Sequence, residues 1–180
     1  EELAALRHYP LEPVASEVFD LVVVGGGVAG TSAAVSAARL GLSVALVQDR
    51  PVLGGNSSSE VRVWPEGHVN QEPYPRVGDI VMELVPERRG DSRNAQGAHV
   101  FDDDRKLRVV RAEPNITLFL EQRVSIASAR EGTIQSVTSQ HTRSGARTLI
   151  RGRWFLDSTG DGTVGFAAGA DFATTPTGHM

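Results

Sequence analysis

The sequence predicts an α/β fold in which a parallel sheet built on βαβ connections is joined by an antiparallel β-meander. Three observations predict it. Phe19–Val24 is an apolar, β-branched run suited to a strand buried on both faces. It opens directly into Gly25, Gly27 and Gly30, spaced GxGxxG, with the next helix beginning inside that motif. Further on, Val124–Ala129, Ile134–Gln140 and Thr148–Asp157 read as strands, with the turn pairs Glu131-Gly132 and Ser144-Gly145 between them.

The first unit is a Rossmann-like dinucleotide-binding βαβ. Gly25 permits the tight turn, Gly27 lets backbone approach a pyrophosphate, and Gly30 lets helix and strand pack closely. Val28 and Ala29 open the helix, whose unpaired N–H groups and positive dipole end make a seat for phosphate oxygens. Ala33, Ala34, Ala37 and Ala38 give that helix a small-residue face toward the sheet, and Gly41 ends it. Val44–Val47 is the second buried strand. At its end a Rossmann unit often carries a carboxylate for a ribose hydroxyl. Here Gln48 holds that position, with Asp49 and Arg50 following. Either the Gln48 amide or, after a small register change, Asp49 can take the role. The departure weakens an NAD assignment by pattern alone.

The other elements follow in order. Residues 1–18 form a polar, Pro-containing lead-in with no periodic signal, and residues 19–180 form the domain. Pro51–Ser59 is a Gly/Ser-rich loop, and Glu60–Trp64 alternates like a short strand. Pro65–Pro75 is irregular. Val77–Arg88 carries Ile80, Val81, Leu84 and Val85 at helical spacing, and Asp91–His99 is polar loop. Asp102–Arg111 reads as a helix whose three leading carboxylates suit its N-terminus, and Glu113-Pro114-Asn115 breaks it. Ile116–Leu120 is a strand. Ser158–Gly162 is a tight loop, and Thr163–Ala168 opens a helix.

Composition bounds the function. The 180 residues are 40% hydrophobic and 22% charged, with net charge −4. That balance argues against a nucleic-acid surface, and no run approaches the ~18 apolar residues of a membrane span. A soluble protein acting on a small molecule is expected, with the cytoplasm favoured over export, although the chain starts without a Met. With no cysteine, there is no disulfide, thiolate metal site or redox dithiol, so redox chemistry has to come from a bound cofactor.

Two further segments are candidate sites. Gly54, Gly55, Asn56 and Ser57, continued by Ser58 and Ser59, lie at the carboxyl end of a Rossmann strand, where ligands bind. Read without that context, they are a solvated flexible loop. Thr159, Gly160 and Asp161 lie in a Gly-rich turn that can close over a dinucleotide; the plainer reading is a strand-to-helix turn with Asp161 as a local cap. Arg62, Trp64 and His68 are weaker candidates for facing a substrate. His68, His99 and His141 lack metal-ligand spacing, so no metal site is expected, and Asp102–Asp104 is simplest as a helix-start cluster. No Ser/His/Asp triad signature is present.

In combination these segments resemble the FAD-dependent oxidoreductases of the glutathione-reductase-like fold. The likeness is to a branch reading VVVGGGxAG, PVLGGNxSSE, EPNITLFL and DSTGDGTVGFxAGA in that order, and here it spans about Phe19 to Asp171. The resemblance implies FAD, with its pyrophosphate on Gly25, Gly27 and Gly30 and its adenosine ribose near Gln48 or Asp49. It implies that Gly54, Gly55, Asn56 and Ser57 run past the diphosphate and isoalloxazine, that Val124 offers a backbone contact to adenine, and that Thr159, Gly160 and Asp161 form a second FAD-facing turn. Such enzymes continue into a substrate domain and a C-terminal flavin-closing segment, so the chain is expected to be an N-terminal portion. The expected activity is hydride transfer between an unidentified small organic substrate and flavin. Two alternatives remain: non-redox binding of NAD or ADP-ribose, as in thiazole-synthase-like relatives, and a nucleotide-binding module needing a partner chain.

Overall fold

A computed structural model describes residues 12–67, 71–85 and 97–173. Alternation along the first strand sets its layering. In β1 (Val14–Val24), Val22 and Val24 join a buried apolar cluster with Ala45, Val47, Val124, Val137 and Ile150. Val23, between them, joins a different cluster with Ala34, Val35, Val44, Leu46 and Val110. Successive strand side chains point to opposite faces, so apolar residues at every position demand cover on both sides. Helices supply one cover and the meander the other.

The parallel half comprises β1, β2 (Val44–Val47), β3 (Ile116–Phe119) and β6 (Arg147–Asp157). β4 (Gln122–Arg130) and β5 (Thr133–His141) complete one six-stranded sheet in the order β3-β2-β1-β6-β5-β4. β6 belongs to both halves, lying parallel to β1 and antiparallel to β5. The strands at the two ends of that order are nonetheless consecutive in sequence, joined only by Leu120 and Glu121. A link that short spans about 10 Å, so the sheet curls until β4 starts beside the end of β2. The Gln122 N–H donates to the Gln48 carbonyl at 2.9 Å across that junction.

The helical layer is α1 (Val28–Arg39), α2 (Asp79–Leu84) and α3 (Asp103–Arg111), with the short α4 (Thr163–Ala167) after β6. Gly30, Ala34, Ala37 and Ala38 put the small face of α1 on the sheet, all four buried. Asp102 caps α3, its carboxylate accepting the Arg105 N–H at 3.1 Å. On the surface, Arg39 reaches Glu83 and Glu113, each at 2.7 Å. Being exposed, such pairs contribute at most about 1 kcal/mol. No helix among the described residues is long and apolar enough to cross a membrane.

The structure departs from the sequence reading in several places. β1 begins at Val14, inside the expected lead-in, because Val14 and Ala15 find partners in Thr148 and Leu149 of β6. Residues 60–64, expected as a strand, form turn and coil. The Val63 N–H instead bonds the Asn56 carbonyl, folding this stretch onto the preceding loop. The helix expected over 77–88 is Asp79–Leu84, with 86–90 outside the described residues. The meander is present, but its last strand is also the neighbour of β1.

A Cβ on Gly30 would lie 1.9 Å from the Gly25 carbonyl oxygen and 3.0 Å from Ser158 Cβ. Backbone on one side leaves no soft neighbour to move, so Gly30→Ala is expected to destabilise the domain by roughly 3 kcal/mol. Urea denaturation measures this, and an unchanged midpoint would contradict the close packing of α1 on β1.

Candidate functional site

The carboxyl ends of β1, β2 and β6 open into a cleft of about 700 Å³. Of the sequence-predicted residues, Gly25, Gly27, Val28, Ala29, Gln48, Asp49, Arg50, Gly54–Ser57, Val124 and Thr159–Asp161 all line it. Gly30 does not, because it faces the strand. Segments distant in sequence are thus brought to one cavity by the parallel pairing, which stops all three strands at the same level: Val24 pairs with both Val47 and Asp157.

One wall is the start of α1. Gly27 is its N-cap, in extended conformation (φ −65°, ψ 177°), with no side-chain cap and no acid in the first turn. The N–H groups there keep their capacity for an anion, reinforced by the helix dipole. A Cβ on Gly27 would meet nothing within 4 Å. The cradle is therefore open where Gly30 is closed.

Gln48 is buried, and its side chain is turned inward. Oε1 accepts the Gly26 N–H at 2.8 Å, while Nε2 donates to the Val52 carbonyl at 3.1 Å. The amide expected as one of two ribose contacts is thus engaged in holding the first glycine loop to the end of β2. Asp49 and Arg50 are exposed on the cleft side. Arg50 Nε pairs with Glu60 Oε2 at 2.7 Å, joining two walls.

The Gly54–Ser59 loop is not a free solvated segment. Gly54 forms a parallel bridge with Gly27, its N–H donating to the Gly26 carbonyl at 2.8 Å. Ser57 and Ser58 are buried, and the Ser58 hydroxyl donates to the Gly55 carbonyl at 2.7 Å. The first two glycine motifs are therefore one hydrogen-bonded unit.

The third wall is organised by Asp157. Its Oδ1 accepts the Thr159 N–H and hydroxyl at 3.1 and 2.7 Å, and its Oδ2 accepts the Val164 and Gly165 N–H groups at 2.7 and 3.0 Å. The first turn of α4 is capped by Asp157 and not by Asp161, because a residue at the end of β6 can reach the helix across the loop. Asp161 is left at the cleft. Burial pushes the Asp157 carboxyl up, but its hydrogen bonds from Thr159, Gly165 and Val164 outweigh that and hold it below the usual Asp range.

Sequence reasoning missed Gln122, Arg123, Val61, Val63, Pro65 and Ser158, which also line the cleft. Only the curl of the sheet brings Gln122 and Arg123 there, and no local pattern signals it. Of the weaker candidates, Trp64 lines the cleft and packs on Phe101 with ring centroids 5.8 Å apart. Arg62 turns back to the Ser59 carbonyl at 2.9 Å, and His68 lies outside the described residues. Among the described residues no group of three His, Cys, Asp or Glu could hold a metal ion.

The family model described as FAD dependent oxidoreductase matches residues 20–178. Among curated relatives, a glycerol-3-phosphate dehydrogenase of Mycobacterium leprae is 45% identical over 74 residues, 40% of this chain and 13% of that protein. A digeranylgeranylglycerophospholipid reductase of Methanococcoides burtonii is 27% identical over 176 residues, 88% of this chain and 42% of that one. Of solved structures, the quinol fumarate reductase of E. coli matches with TM-score 0.58 at 15% identity, over 81% of this chain and 33% of that chain. A myxobacterial FAD-dependent halogenase matches at 0.55 and 17%, over 80% and 38%. These two share the fold. The chain spans less than half the length of each of these proteins.

Asp157→Asn would set an amide N–H against backbone donors and is expected to lower stability by roughly 1–2 kcal/mol at neutral pH. Because the folded carboxyl titrates below the unfolded one, the wild-type advantage is full above about pH 4 and shrinks as pH falls through the folded value. Denaturation midpoints of both proteins between neutral and acid pH test this; a pH-independent difference would show that the charge is not involved.

Proposed function

The chain belongs to the FAD dependent oxidoreductase family, and we propose that the cleft is its FAD site, with the pyrophosphate on the N–H groups that open α1. The observation that carries this is the uncapped α1 N-terminus, fused by the Gly27–Gly54 bridge to a second glycine loop. The volume also fits, since about 700 Å³ lies within the roughly 300–1,000 Å³ of small-molecule and cofactor sites.

Each wall has its task. Gly25 and Gly27 with Val28 and Ala29 seat the diphosphate, and Gly30 sets how closely α1 approaches β1. Asp49 takes the ribose contact, since Gln48 supports the loop from behind; Arg50 stands beside it. Val124, at the start of β4, borders the adenine end. Gly54, Gly55, Asn56 and Ser57 run along the diphosphate toward the reactive ring. Thr159, Gly160 and Asp161 close the opposite side, held in shape by Asp157. FAD, when bound, supplies two-electron chemistry, exchanging hydride with a small organic substrate. The protein part orients the dinucleotide and excludes water from it.

Full-length protein is expected to purify yellow or to take up added FAD, with absorbance near about 450 nm. A colourless protein that binds none, or that releases NAD or ADP-ribose on denaturation, would overturn this reading. Gly27→Ala provides the local test. Its Cβ meets no protein atom, so stability should hold within about 0.5 kcal/mol. FAD affinity should drop at least about tenfold, roughly 1.4 kcal/mol, as the methyl intrudes on the phosphate seat. Equal affinity by fluorescence titration would place the diphosphate elsewhere.

A further inference from the structure

Lys106, on α3 behind the cleft, is only 1% exposed. A buried ammonium is expensive unless it is paired, yet the nearest carboxylate oxygen recorded for it, Asp103 Oδ1, is 3.8 Å away. Its hydrogen bond goes to the Phe101 carbonyl. The stem of Lys106 runs directly beneath Gly54, where a Cβ would lie 2.7 Å from Cε and 2.8 Å from Cδ. Gly54 also has φ +108°, so that point of the loop tolerates no side chain on either count. At the other end of the loop, the Ser59 N–H donates to Asp103 Oδ1 at 3.0 Å.

Both ends of the Gly54–Ser59 loop are thus held by one turn of α3. The opposite face of the loop is a cleft wall, and neither Lys106 nor Asp103 touches the cleft. We propose that Lys106 and Asp103 are a pair of positioning residues for cofactor binding, setting the height and rigidity of the Gly54–Ser59 wall from behind. The proposal rests on the FAD reading above. Burial lowers the Lys106 pKa against the pull of Asp103 and Asp102. A neutral side chain of similar length would fill the same volume without that penalty, but would leave the Phe101 carbonyl and Asp103 without the ammonium.

The test compares full-length wild type, Lys106→Met, Asp103→Ala and the double variant. Two readouts are needed: FAD dissociation constants by fluorescence titration, and amide hydrogen exchange across residues 54–59 without FAD. Each single variant should bind FAD at least about fivefold more weakly and exchange faster in the loop, while the rest of the sheet stays protected. Because both residues act through one loop, the double variant should lose little beyond the worse single variant. If Lys106→Met does not fold, Asp103→Ala, at a partly exposed helix start, decides alone. A folded single variant that binds FAD within about twofold of wild type overturns the proposal, as does a double variant whose losses add fully. Wild type that binds no FAD sinks the earlier reading and this one together; wild type that binds FAD beside unaffected variants sinks only this one.

Discussion

Gln48 stands where β1, β2, β3 and β4 converge, and its hydrogen bonds reach all four neighbourhoods. Its backbone N–H donates to the Phe119 carbonyl at 2.8 Å and its carbonyl accepts the Gln122 N–H at 2.9 Å. Its side chain joins Gly26 to Val52 at 2.8 and 3.1 Å. The two side-chain contacts need an acceptor and a donor on one short group, which an amide has and a carboxylate lacks. In a buried place such as this, each unmade bond costs roughly 1–3 kcal/mol. The first glycine loop, the exit of β2 and the curl that delivers β4 are therefore tied to one uncharged residue. A negative charge at this point would face the Val52 carbonyl.

That arrangement explains why the cleft is built from backbone more than from side chains. The Gly54 N–H bonds the Gly26 carbonyl beside the Gly27–Gly54 bridge, and the Asp157 carboxylate shapes the third wall by accepting backbone N–H groups. Several polar side chains near the cleft, among them Gln48, Ser58, Thr159 and Asp157, are occupied in shaping loops. The cleft is also lined by backbone N–H groups and by Asp49, Asn56, Arg123 and Asp161, which on the proposed reading face the dinucleotide. The family match over residues 20–178 agrees with it.

The parts legible in the sequence were those with local signatures. The glycine motif, α1, β2, the meander turns and the start of α3 each depend on residues within a few positions of one another. What was not legible depended on partners far away in the chain. Val14 and Ala15 are strand only because β6 arrives beside them, and Glu60–Trp64 has strand alternation but folds back onto the Asn56 carbonyl. Lys106 carries no sequence sign that its stem lies under Gly54. Asp161 is the nearer candidate to cap α4 by spacing, yet Asp157 holds the helix because β6 aims it there.

The sheet order also governs the sequence of assembly. β1 lies at the centre with β2, a close neighbour in the chain, on one side and β6 on the other; Val24 waits for Asp157. During synthesis the β1–α1–β2 unit can pair early, but its other edge stays open until the chain has passed β6. An unpaired, apolar central strand is a template for wrong partners, and pairings of such long sequence separation are slow to close. The step that removes this hazard also brings the Ser158–Gly162 loop beside the start of α1. Completion of the sheet and completion of the cleft are one event, so a ligand held by both walls would report on, and favour, the finished topology.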